Sequence, residues 1–269
     1  MRLSGVVAAE WTKLTSLRSP FWIAVATVVV SGALTSAAAS ASSVDPGFDP
    51  LDSLTAGLPL AQVGPLVLGV LVGTGEFSTG AFRSTFTAVP RRLPVLAGQA
   101  LATAAFALVV GVLTVVAAVI GMLPAARSRG IALDLAADGT PQVLVGTAVF
   151  LVGLALLGLA VGALLRRAVP ALVTAIALVL VLPIALMLAG DASTDPMAAA
   201  GSTPAQDAVN TVTTFLPGGA GSLLATTPQA GGIEGAPDLG PWGGGLVLAA
   251  WILVPLAGAA LRLRARDLA

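Results

Sequence analysis

Cysteine, histidine and tyrosine are absent from this 269-residue chain, lysine occurs once, and charged residues make up only 10% of it. Without cysteine there is no disulfide framework and no thiolate chemistry. Without cysteine and histidine together, zinc sites of the His/Cys type and Ser-His or Cys-His catalysis are excluded. The one lysine, Lys13, follows Thr12, so the Gly-Lys-Ser/Thr loop that cradles a nucleotide phosphate cannot be built. Carboxylates are left, but they lie in loops or at the edges of apolar runs, and none is placed to face another within a run. These exclusions point away from an enzyme, from a resident metal and from any cofactor held by this chain.

What is present is apolar sequence. Hydrophobic residues make up 57% of the chain and the mean hydropathy is +0.98, far from a soluble protein. Six stretches, at approximately 21–40, 57–75, 95–122, 142–165, 168–190 and 242–261, are each long enough to cross a ~30 Å hydrocarbon core, which takes about 20 helical residues. The expected fold is therefore an all-α integral membrane protein of six transmembrane helices.

Orientation follows from the basic residues. Eleven of the thirteen fall on one side: Arg2, Lys13, Arg18, Arg83, Arg91, Arg92, Arg166, Arg167, Arg262, Arg264 and Arg266. Arg127 and Arg129 fall on the other. The positive-inside rule then predicts cytoplasmic N- and C-termini. Net charge is zero and says little about partners, and nothing in the pattern points to nucleic acid.

Residues 1–20 form a unit of their own before the six-span domain of 21–269. Over 2–18, Leu3, Val6, Val7, Trp11, Leu14 and Leu17 fall in one helical arc with Ser4, Ala8, Thr12, Thr15 and Ser16 opposite, which predicts an amphipathic helix on the membrane surface. Glu10 and Arg18 intrude on the apolar arc. Ser19-Pro20 is expected to separate this helix from the first span, as N-cap and first helical residue. The basic start and small-residue segment at 36–42 also resemble a secretory signal. The eighteen-residue leader containing Glu10, and an apolar run of full spanning length, favour a retained anchor.

The external segment 191–241 is mostly small residues and proline, with a patterned middle. Thr203-Pro204 and Gln206 predict a capping box opening a helix, apolar residues follow to Leu216, and Pro217-Gly218-Gly219 ends it. A solvated linker is equally compatible with this composition.

Inside the spans there is no Asp, Glu, Lys or Arg, which argues against an ion-coupled secondary transporter. Gln62 and Gln99 are the most polar interior residues, suited to a substrate pathway or to interhelical hydrogen bonds. Gly69-xxx-Gly73 and Gly158-xxx-Gly162 allow close helix approach, and Pro65, Pro183 and Pro255 predict kinks.

The most distinctive polar stretch is "GEFSTGAFRSTFTAVPRRLPV", 75–95. On a helix Glu76, Thr79, Arg83 and Thr87 share a face, Phe82 and Phe86 form an i,i+4 pair, Pro90 ends it, and Arg91-Arg92 anchor the third span. This reads as a docking element, although composition alone favours an ordinary loop with basic anchors.

The N-terminal "EWTKLTSLRSPFW", the stretch "GEFSTGAFRSTFTAVPRRLPVLAGQAL" and "FLPGGAG" at 215–221 resemble bacterial permease subunits of type 2 ATP-binding-cassette exporters. The resemblance implies a six-span subunit that pairs with a second permease subunit in the bacterial cytoplasmic membrane. It also implies a separate ATPase subunit, which carries the ATP and Mg. That ATPase would dock on a coupling helix at 76–90, here Glu76, Phe77, Thr79, Phe82, Arg83 and Phe86, with Arg91 beyond it. An interface helix at 2–18 carries Glu10, Trp11, Lys13 and Leu14. The family often has Tyr after the Glu, where this chain has Phe77. The implied function is ATP-driven export of a hydrophobic, lipid-like, drug-like or polymeric substrate. A secondary transporter, or a non-transporting sensor or immunity partner, is the alternative.

Overall fold

A run whose side chains are apolar on every face cannot be satisfied by one protein neighbour, and in lipid its backbone groups must bond within the segment. Helix is the outcome. The computed structural model describes residues 3–42, 53–78, 92–131, 133–136, 139–192, 203–226 and 235–265. Among these residues there is no strand. The helices are α1 (Leu3–Ser16), α2 (Arg18–Ser42), α3 (Leu58–Ala61), α4 (Val63–Ser78), α5 (Arg92–Ser128), α6 (Thr140–Leu165), α7 (Ala168–Ile176), α8 (Leu182–Ala192), α9 (Pro204–Phe215), α10 (Pro217–Ser222) and α11 (Gly240–Ala265). Six spans are long and apolar enough to cross a membrane. Span 1 is α2, span 2 is α3 and α4, span 3 is α5, span 4 is α6, span 5 is α7 and α8 with the π-turn between them, and span 6 is α11. An even number of crossings returns the chain to the face on which it began, here the termini face. The opposite face is the loop face.

Span 4 is the axis of the bundle. Its apolar window is 72% buried, against 17% in spans 1, 5 and 6, which therefore leave most of their surface outside this chain's own packing. Leu66 and Val70 of span 2, Ala171, Ala175 and Val179 of span 5, and Leu248 of span 6 close around Phe150, Leu151, Leu154 and Leu157 of span 4. Lipid tails are as apolar as leucine, so close fit rather than water exclusion holds these helices together. The tightest crossing joins the two Gly-xxx-Gly repeats to each other. A Cβ at Gly158 would meet Leu66 O, and one at Gly162 would lie 2.8 Å from Val70 O and 3.2 Å from Gly73 Cα. Spans 1 and 3 use the same device, with Gly32 against Ala117 and Gly121 against the Gly32 carbonyl, while Thr27 and Ser31 of span 1 meet Gly64 and Gly57 at span 2.

The boundaries depart from the sequence reading in several places. The N-terminal helix and span 1 are separated by Leu17 alone, and Pro20 falls in the first turn of α2, where its missing N–H has no helical partner to lose. Span 3 runs on through Pro124 to Ser128, because Met122 and Ala125 pack with Ala39 and Leu54 and hold the last turns. Pro255 lies inside a continuous helix.

Pro65 and Pro183 interrupt their spans. Pro65 has no N–H for the Ala61 carbonyl, and the helix breaks at Gln62. Pro183 has none for the Val179 carbonyl, and the register widens into a π-turn, Ala177–Val181, with Leu182 N–H on Ala177 O.

Residues 203–226, ahead of span 6, are helical and fold back into the bundle. Thr203 and Gln206 form the full capping box: Gln206 N donates to Thr203 Oγ1 at 3.3 Å and Thr203 N to Gln206 Oε1 at 2.8 Å. Pro217-Gly218-Gly219 does not end in a loop. Leu216 is extended (φ −70°, ψ 151°), the chain reverses, and Pro217 opens α10. The reversal then descends into the bundle. Gly221 packs on the Phe150 ring, Gly146 on the Leu224 carbonyl and Gly244 on the Ala220 carbonyl. Phe150 lies about 15 Å along α6 from Thr140, at 1.5 Å per residue. A solvated linker does not describe this element.

Candidate functional site

Two regions carry the polar groups, one at each face. At the termini face α1 lies along span 3. Leu14, 5% exposed, inserts with Leu68 and Ala102, with Val7, Ile23 and Phe106 around it. Trp11 meets Phe106 edge-on at 6.2 Å, and Gly98 gives Val6 room to approach. Glu10 falls on this inward face and is only 6% exposed, which explains its place in the apolar arc. Lys13 Nζ donates to Glu10 Oε1 at 2.6 Å and is itself half exposed, so the buried carboxylate has a cation within one turn.

Beneath this pair is a cavity of about 380 Å³. Glu10, Lys13 and Ser19 line it from the N-terminal region, Thr74 and Gly75 from the end of span 2, and Gln99 from the start of span 3. Gln99 is therefore a buried residue at one end of the bundle rather than mid-membrane. Glu76 and Phe77 occupy the last turn of α4, immediately beyond Gly75. Thr79, Phe82, Arg83, Phe86 and Arg91 lie outside the described residues. The same corner is tied across the bundle by Arg262, whose Nη1 donates to Leu164 O at 2.6 Å and occupies one of the carbonyls left open where α6 ends.

At the loop face a second cavity, of about 310 Å³, lies between span 2, span 5 and the re-entrant element. Gln62 lines it from the break in span 2, Val179 and Pro183 from the π-turn region, and Thr213, Gly218 and Ser222 from α9 and α10. The Gln62 side chain donates Nε2 to Pro59 O at 3.0 Å, a bond within its own break and not the interhelical bond that its sequence position suggested. Gln62 and Gln99 thus belong to different cavities at opposite ends, and the structure does not bring them together. The sequence did not single out Val179 and Phe150, which line this cavity. Pro183 and the Gly218-Gly219 pair were the available signals for the first.

Compared with known proteins, the chain matches no family model and no curated sequence.

Proposed function

We propose that this chain is the permease subunit of an ATP-driven exporter, oriented with its termini in the cytoplasm of a bacterium and paired with a second permease subunit and a separate ATPase. One observation carries the reading beyond the sequence resemblance. The amphipathic helix, the end of span 2 at Thr74 and Gly75, and Gln99 in the first turns of span 3, which flank the 76–90 segment on either side, meet at one corner of the termini face around the Glu10–Lys13 pair. A partner seated there contacts all three at once. The absence of ionisable residues from the middle of the spans supports a drive supplied from outside the bilayer.

In this reading nucleotide-driven closure of the ATPase pair displaces the 76–90 segments. Span 2 takes up the push directly, and span 4 moves with it through the glycine crossing. The break at Gln62 and the π-turn of span 5 are where the far ends of these spans can change direction.

The test is to look for a Gly-Lys-Ser/Thr ATPase in a neighbouring reading frame and to use it in a pull-down at matched membrane levels of each variant. Phe82→Ala/Phe86→Ala is expected to insert normally and to lose ATPase binding and export together, since truncating aromatic anchors costs ~2 kcal/mol or more. Arg83→Glu weakens association in a salt-dependent manner. Unchanged binding by the double alanine variant removes the segment from the interface.

A further inference from the structure

We infer that the cavity at the loop face is a binding station for an uncharged amphiphile that presents hydroxyl or carbonyl groups. Three irregularities of the backbone meet there: the break at Gln62, the π-turn before Pro183, and the reversal between α9 and α10. At membrane depth such irregularity is tolerated where it is buried in protein or borders a polar space, because unpaired carbonyls in hydrocarbon are costly. Here the reversal is seated against the π-turn itself. A Cβ on Gly218 would lie 3.0 Å from the Val179 carbonyl, the group that Pro183 cannot satisfy as a helical residue would.

The lining sets the ligand class. Gln62, Thr55, Thr213, Ser222 and Thr226 supply an amide and four hydroxyls, and Leu58, Phe150 and Pro183 supply apolar surface. Ser222 Oγ and Thr226 Oγ1 already donate to the Gly219 and Leu223 carbonyls and so meet a ligand as acceptors. Among the described residues, no Asp, Glu, Lys or Arg lines the cavity. An ion entering it loses water and finds no counter-charge, whereas a hydroxyl or carbonyl exchanges one hydrogen bond for another. Nε2 of Gln62 is engaged by Pro59 O, which leaves the amide carbonyl to accept from a ligand hydroxyl. The volume, about 310 Å³, lies at the lower end of the ~300–1,000 Å³ typical of small-molecule sites. As the substrate station of an exporter this inference rests on the reading above, but the binding itself needs neither ATPase nor nucleotide.

Because the chain lacks cysteine, Ser222→Cys places a single thiol in the lining. With the variant in lipid nanodiscs, maleimide labelling is followed while hexyl glucoside, hexyltrimethylammonium or hexyl sulfate is added. The glucoside is expected to slow labelling and the two ions are not. None of the three should change labelling of Thr12→Cys, on the exposed side of α1. Adding Gln62→Leu is expected to weaken the glucoside's protection about fivefold, the change expected from losing one hydrogen bond. Thr226→Cys is a second reporter should the first fold poorly. Equal protection by all three headgroups, protection by none, or protection indifferent to Gln62→Leu overturns the inference. With the ATPase pull-down positive, such a result leaves the exporter reading standing. Selective protection with a negative pull-down leaves the site standing without it.

Discussion

Trp251 of span 6 donates its indole N–H to the carbonyl of Phe215, at 2.9 Å, across 36 residues of chain. Phe215 ends α9, so this carbonyl is one that the helix leaves open, and the bond pins the re-entrant element to the last span. Trp251→Phe keeps an aromatic side chain and removes the donor together with the five-membered half of the indole. The expected cost is about 1 kcal/mol. It should appear as faster hydrogen exchange in Pro204–Phe215 with span 4 unchanged. Unaltered exchange in that helix means the bond does not hold it.

The crossing of spans 2 and 4 makes a sharper demand. Gly158→Ala sets a methyl against the Leu66 carbonyl, whereas Gly5→Ala meets nothing within 4 Å. The first is expected to lower stability by ~1–3 kcal/mol in thermal unfolding, as overpacking does. The second should be neutral or slightly stabilising, since alanine is the better helix former. Similar unfolding temperatures for the two would contradict this crossing.

Topology is open to direct measurement in intact cells. Ser222→Cys is expected to react with an impermeant maleimide, and Ser84→Cys and Ala168→Cys are not. Ser53 is a poor probe of the same face, because it is 6% exposed and a thiol there reacts slowly whichever side it occupies. External reaction at position 84 reverses the proposed orientation and removes the docking argument with it.

Energy supply separates the exporter from its rivals. The purified chain is expected to hydrolyse no ATP above background, and reconstituted export to require a second polypeptide. Sustained export by this chain alone, driven by a proton gradient, favours a secondary transporter.

The spans were legible because their signal is additive over about 20 residues and needs no partner. The capping box at Thr203 was legible because both of its bonds form between residues three apart. Glu10 looked like a flaw in the amphipathic arc because hydropathy does not register that Lys13 lies one turn on. Gln62 looked like a mid-span residue because the effect of Pro65 on its own helix depends on what packs beside it. The two glycine repeats were visible, but not that they face each other, since pairing is a property of the bundle. The loop-face cavity is the least legible feature, being assembled from four separated segments.

The glycine crossing also bears on how the protein is made. Span 2 is the least apolar of the six, with a mean hydropathy of 1.6 against 2.7 in span 4. Ribosomes deliver the chain between Gly73 and Gly158 over roughly 4–17 seconds, at ~5–20 residues per second. During that interval span 2 is in or near the translocon with its glycine groove unfilled, until span 4 emerges to close it. A substitution at Gly69 or Gly73 therefore acts first on the nascent chain, prolonging its stay beside the insertion machinery and its exposure to membrane quality-control proteases. Reduced abundance after synthesis, ahead of any loss of activity, is the expected phenotype, read by pulse-chase of Gly73→Ala against the parent chain.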